Sequence, residues 1–353
     1  MTIPNVNSDG SNLNKIHIKP SVSDAQKQQS SENTVHLPEQ EKEYSIKQFR
    51  QDYAKLLEEK VMPVLAEFEG ERKKRLCLAV TSSVILGITA VCIFLFVDVG
   101  ARGSGDVFFA CIAGIFAVWT WFKKSFERKV KRLIMPALMQ AIPGFYWQET
   151  PPVTENDIKE CMIIPFADKC SKVFDDCFVG EYRNVKIAIS ECNCRIHQSR
   201  NSSITILKGV VIKFDMNKNF DGITVIRPKN PGYRDKYDDL KRAKLSEVKL
   251  EDPEFGKKFI VYSTDQIEAR YLITTSFMER FKQIQSAFYS QFAYCSFYGN
   301  FVFIAPHTGR DLFSLCSLVK PIGNKEQFEE LFNQVVSILA FVDHFKLDKK
   351  LGL

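Results

Sequence analysis

The feature that most constrains this chain is the run LCLAVTSSVILGITAVCIFLFV, residues 76–97, which holds 22 residues and no charge. At about 1.5 Å per residue, a helix of that length covers the roughly 30 Å hydrocarbon layer of a bilayer. A buried core helix is the bland alternative, but a soluble core has little use for so long an uncharged stretch. A second apolar run, VFFACIAGIFAVWTWF, occupies residues 107–122. Its 16 residues are short for a crossing, but Trp119, Trp121, Lys123 and Lys124 are the residue types that anchor a short span at the headgroups. The two runs predict a two-span transmembrane helical hairpin, 76–97 and 107–122, with VDVGARGSGDVF at its tip.

Charge sets the orientation. ERKKR at 71–75 sums to +3, KKSFERKVKR at 123–132 to +5, and the tip to −1. Segments with excess Lys and Arg stay in the cytoplasm, so both termini are expected to be cytoplasmic and the tip outside. The expected partner of the flanks is the lipid bilayer, its anionic headgroups met by Arg72, Lys73, Lys74, Arg75, Lys123, Lys124, Arg128, Lys129, Lys131 and Arg132. Each is worth about 1 kcal/mol near the surface. The chain's net +6 is less than the flanks' own charge, so no basic face is left over for nucleic acid. Of ten cysteines, Cys77, Cys92 and Cys111 lie in the apolar runs and the other seven follow without a Cys-x-x-Cys pair. Cytoplasmic thiols stay reduced.

Around the hairpin the chain divides into recognisable pieces. Residues 1–40, rich in Ser, Asn and Gln, cannot bury enough surface to offset their ordering entropy and are expected to be a disordered tail. No basic start with an apolar stretch follows Met1, so a signal peptide is not expected. Residues 41–75 form an amphipathic helix, with Phe49, Tyr53, Leu57, Val61, Leu65 and Phe68 at steps of three and four. Residues 123–147 repeat the pattern as a juxtamembrane helix. Pro63 and Pro136 stand at matching distances from the two spans and predict a paired bend. The spans are expected to pack through Ser83, Gly87 and Ala90 against Ala110, Gly114 and Ala117.

From 148 to 353 the chain reads as short strands followed by helices, an α+β domain with an antiparallel sheet. CSFYGNFVFIAP predicts a hairpin turning at Gly299-Asn300. Helices are expected over 265–291, broken near Thr274, and over 325–345.

EVKLEDPEFGKKFIVYSTDQIEARYLITTSFMERF, residues 247–281, together with FVGEYRNVKIAISE and TILKGVVIKFDMNKNFDGITVI upstream, resembles the bacterial domain of unknown function 3137 family. The resemblance covers roughly residues 125–310. It implies a membrane-attached bacterial protein with a cytoplasmic α+β domain, and it assigns no catalytic residue; the expected location is the bacterial inner membrane. The motif also has a structural reading. Asp252 precedes Pro253 as a helix cap, Phe255 and Phe259 are core, and Asp265 caps a second helix.

The candidate constellations are weak. Asp215, Asn217 and Asn219 have calcium-loop spacing, but Phe220 and Ile226 stand where Gly and Glu are needed. Cys192, Cys194 and His197 lack a fourth ligand, and on a strand His197 points away from the thiols. Cys295, His307 and Asp311 are a nucleophile–base–acid trio without a nucleophile turn. Asn201 opens a glycosylation sequon that matters only outside the cytoplasm. No catalytic, cofactor-binding or metal-binding residue is therefore assigned. The expected function is a membrane-tethered interaction or scaffold domain. Two alternatives stay open: a membrane-anchored enzyme using a pocket near Asp265 and Arg270, and a secreted bacterial effector that inserts into a host membrane.

Overall fold

The computed structural model describes residues 46–347, apart from 97–99, 140, 141, 143, 200, 201, 217, 234–237, 314–316, 321, 323 and 324. The expected disordered tail, Asn201 and Asn217 lie outside the described residues.

The first helical rod comprises α1 (Ile46–Leu56), a π turn (Leu57–Val61) and α2 (Met62–Phe96). Pro63 explains the π turn. It has no N–H for the carbonyl four residues back, and the Met62 N–H reaches the Leu57 carbonyl in a five-residue step. The stretch Gln48–Ile93 is long and apolar enough to cross a membrane. The return helix α3 (Gly100–Met139) begins seven residues earlier than the run at 107 suggested, so most of the glycine-rich tip is helical. It also runs through Pro136, which sits in its final turn. The prolines therefore differ: one widens a helix and the other precedes an end.

The juxtamembrane helix expected to reach residue 147 stops at Met139. Gly144 takes φ +80°, and Phe145–Gln148 is strand β1, paired with β2. Three adjacent aromatics suit a pleated surface better than a helix. The Phe145 ring lies over Gly180, where a Cβ would come within 2.4 Å of it.

The remaining elements are α4 (Glu155–Glu160), β2 (Ser171–Tyr182), β3 (Val185–Ser199), β4 (Ser202–Asp215), β5 (Ile223–Pro228), α5 (Asp238–Arg242) and β6 (Ser246–Val248). They continue with α6 (Pro253–Lys258), β7 (Phe259–Ser263), α7 (Gln266–Leu272), α8 (Thr275–Ala287), β8 (Phe292–Tyr298), β9 (Phe301–His307) and α9 (Lys325–Leu347). The nine strands form one antiparallel sheet in the order β1-β2-β3-β4-β9-β8-β5-β7-β6. Tyr298 pairs with Phe301, so β8 and β9 turn on two residues, with Gly299 at φ +61°.

Helices cover both faces. The base of the α1–α2 rod, the lower part of α3 and α6–α9 share one large core with the inner residues Ile187, Val210, Ile212, Cys295 and Ile304. On the other face, α4 and residues 163–170 cover Cys192, Val211, Tyr294 and Phe303, and Leu240 of α5 packs with Val225 and Tyr262. This double burial explains why β8 and β9 read as continuous apolar runs without strict alternation.

Candidate functional site

Strand β2 carries a bulge. Asp175 pairs with Glu191 and Cys177 with Ser190, so Asp176 is the extra residue, at φ +38°. Bulges re-aim side chains, and here Asp176 joins the face that looks toward α3. There Lys131 of α3 forms an ion pair with its Oδ2. Glu191 of β3 and Asp311, just beyond β9, complete the group. One carboxylate oxygen from each of Asp176, Glu191 and Asp311 lies within 4.8 Å of the others. The Leu312 N–H donates to Glu191 Oε1 at 3.2 Å, while Asp176 Oδ1 is buried without a hydrogen-bond partner.

The electrostatics follow from crowding. Burial pushes the Glu191 carboxyl up to about 9, aided by Asp311 and Asp176. Burial likewise raises Asp176 to about 6, against the pull of Lys131. Burial works to lower Lys131, but the Asp176 charge prevails and raises it. Like charges at this distance cannot all ionise, so at neutral pH Glu191 holds a proton. Three carboxylates are also a donor set for a hard cation, although the Lys131 ammonium already occupies one of them. The chemistry available to the cluster is proton storage between α3 and the sheet.

The sequence-derived candidates fall elsewhere. Cys295 pairs across the hairpin with Ile304 while His307 pairs with Phe292, and Cys295 belongs to the large core. His307 instead stacks on Phe292 at 4.4 Å and accepts the Lys208 N–H at Nδ1. Asp311 belongs with Asp176 and Glu191, so the nucleophilic trio does not assemble. Cys192 and Cys194 are buried on one face with Cys170, and His197 is exposed. Asp252 accepts from the Glu254 and Phe255 N–H groups, and Asp265 from those of Ile267 and Glu268. Arg270 donates to the Gln266 carbonyl. These motif charges cap and brace helices. Sequence reasoning missed Lys131, Asp176 and Glu191. Its one available signal was two adjacent aspartates inside the apolar strand VFDDCFV.

Among the described residues, two clefts are lined by other side chains. One of about 460 Å³ lies among Lys159, Phe166, Asp168, Asp239 and Arg242. The other, about 510 Å³, lies among Tyr146, Lys186, Lys213, Asp215 and Phe301.

Residues 205–347 match the model of a family described as Protein of unknown function (DUF3137). Residues 205–347 are thus similar to DUF3137. No curated protein and no solved structure matches the chain. The DUF3137 segment opens inside β4 and closes at the end of α9, so Asp311 lies within it and Lys131, Asp176 and Glu191 precede it. The sheet on which the DUF3137 segment is built is thus completed by β1, β2 and β3 from outside the match.

Proposed function

We propose that this is a membrane-tethered interaction or scaffold protein, held by a two-span hairpin of α2 and α3 with its DUF3137 domain on the cytoplasmic side. One observation carries the tether. Large apolar side chains face outward on both helices, Ile85 at 64% and Ile88 at 59% exposure on α2, Phe116 at 71% and Trp121 at 65% on α3. Large exposed apolar side chains along two neighbouring helices mark a lipid or protein contact. The early start of α3 adds helical residues 100–106, with Arg102 and Asp106, ahead of the apolar run at 107–122. In alkaline carbonate the full chain is expected to stay with the membrane pellet and to leave it only with detergent. Recovery in the carbonate supernatant would sink the tether.

The basic flanks support the same orientation through fewer residues than their count. Arg72 is buried against Glu69, Arg75 and Lys129 pair with Glu71, Lys131 with Asp176 and Arg132 with Glu149. Lys74, Lys124 and Arg128 are exposed for headgroups, as are Lys73 and Lys123, which reach Glu69 and Glu127 only at 4.0 Å.

For the domain, binding is favoured over catalysis. Several charges at the clefts are committed to neighbours, Lys159 to Asp168, Asp239 to Arg227 and Lys213 to Asp157. Meanwhile Ile267 and Tyr271 stand exposed one turn apart on α7. Proximity labelling from the C-terminus should recover proteins that an Ile267→Asp, Tyr271→Ala variant of unchanged stability no longer recovers.

A further inference from the structure

We infer that a second element of the domain touches the bilayer: residues 317–320, with Val319 against lipid and Lys320 at headgroup phosphates. This rests on the membrane reading above.

The placement is fixed by Arg72. Its guanidinium donates to the Leu318 carbonyl at 2.8 Å and to the Val319 carbonyl at 3.3 Å, and Glu69 holds it from the other side at 2.8 and 2.7 Å. Glu69 also accepts the Ile322 N–H at 3.3 Å. The segment is therefore pinned to α2 at two points. Arg72 lies four residues before Leu76 and Glu69 seven, so the pinned carbonyls sit about 6–10 Å along the helix from the start of the uncharged run, within reach of a headgroup layer. The same level on α3 is marked independently. Arg75 donates to Ser125 Oγ at 3.3 Å, which sets the exposed Trp121, Lys123 and Lys124 of α3 near it. Aromatic and basic side chains of this kind collect at membrane interfaces.

The side chains of the segment divide as an interfacial anchor requires. Leu318 is fully buried in the large core and plugs the segment into the domain. Val319 is 58% exposed and Lys320 is exposed beside it. An apolar tip next to a lysine suits the acyl–headgroup boundary, with the ammonium at the phosphates. Leu318 buried, Val319 out and both carbonyls held by a buried arginine make this a braced contact, one that fixes the domain's distance from the bilayer.

The test uses the full chain in vesicles of phosphatidylglycerol and phosphatidylethanolamine. A photoreactive diazirine amino acid replaces Val319, Ile88 or Tyr271 in turn, all exposed positions, and lipid adducts are read by mass spectrometry after irradiation. Adducts are expected at Ile88 and Val319, with none above background at Tyr271 on α7. Adducts at Ile88 with Val319 no better than Tyr271 would overturn this inference and leave the hairpin standing. No adduct at Ile88 would overturn the membrane reading and this inference with it.

Discussion

Tyr53 donates its hydroxyl to the carbonyl of Phe328 at 2.9 Å, across 275 positions of sequence. The bond joins the helix that leads into the apolar run to the last helix of the domain. Phe49 stacks on Phe332 at 4.8 Å beside it. The rod is thus a structural member of the domain as well as its lead into the apolar run.

That contact can be measured. Tyr53→Phe removes one buried hydrogen bond and should cost about 1 kcal/mol. Phe49→Ala removes a core aromatic and should cost about 3–5 kcal/mol. Thermal unfolding in detergent checks both; equal, negligible effects would mean α1 does not dock.

The acidic cluster gives the domain a pH dependence with a definite sign. Folding raises Glu191 from 4.5 to about 9 and Asp176 from 3.8 to about 6. Between the unfolded and folded values the native state binds the extra proton. Stability from these groups is therefore full below about pH 4 and declines as pH climbs through 6 and on to 9, at up to about 1.4 kcal/mol per pH unit per proton. Glu191→Gln keeps the shape without the charge, so it should raise the melting temperature at pH 8 and flatten its pH profile. A parent more stable at pH 8 than at pH 5, with Glu191→Gln unable to change that slope, would contradict the assignment.

Lys131→Met leaves Asp176 buried without its cation. Losing one member of a buried pair costs about 3–5 kcal/mol. The loss should be large at pH 8 and smaller at pH 5, where Asp176 takes up a proton. Unfolding midpoints in urea at the two pH values distinguish this from a packing defect, which would be the same at both.

In the DUF3137 motif, Phe259 packs with Phe255 at 4.8 Å and Phe281 at 5.3 Å. Phe259→Ala should cost about 3–5 kcal/mol. Asp265→Asn should cost little, because asparagine caps a helix about as well. If Asp265→Asn left melting unchanged yet abolished the gene's cellular phenotype, a purely structural motif would no longer suffice.

Topology is open to a direct test. With Cys77, Cys92 and Cys111 replaced, the other described cysteines are buried and slow to react. An impermeant thiol reagent on whole cells should then label Asp106→Cys and not Ile267→Cys. The reverse pattern would invert the proposed orientation.

By itself the sequence determined whatever depends on neighbours along the chain. The apolar run, the α9 stripe, the Gly299-Asn300 hairpin and the caps at Asp252 and Asp265 were legible because period, turn chemistry and capping act within a few residues. The site was not legible. Lys131, Asp176, Glu191 and Asp311 come from α3, β2, β3 and the segment after β9, and only sheet pairing brings them together. Asp176 faces the others because one extra residue in β2 shifts the register, a choice made by cross-strand fit. The strand at Phe145–Gln148 has the same origin, since an edge of β2 was there to pair with. The tertiary structure also decided which basic flank residues turn to the domain, as Arg72, Lys131 and Arg132 do. Local forces fix the elements, whereas long-range pairing decides which charges meet.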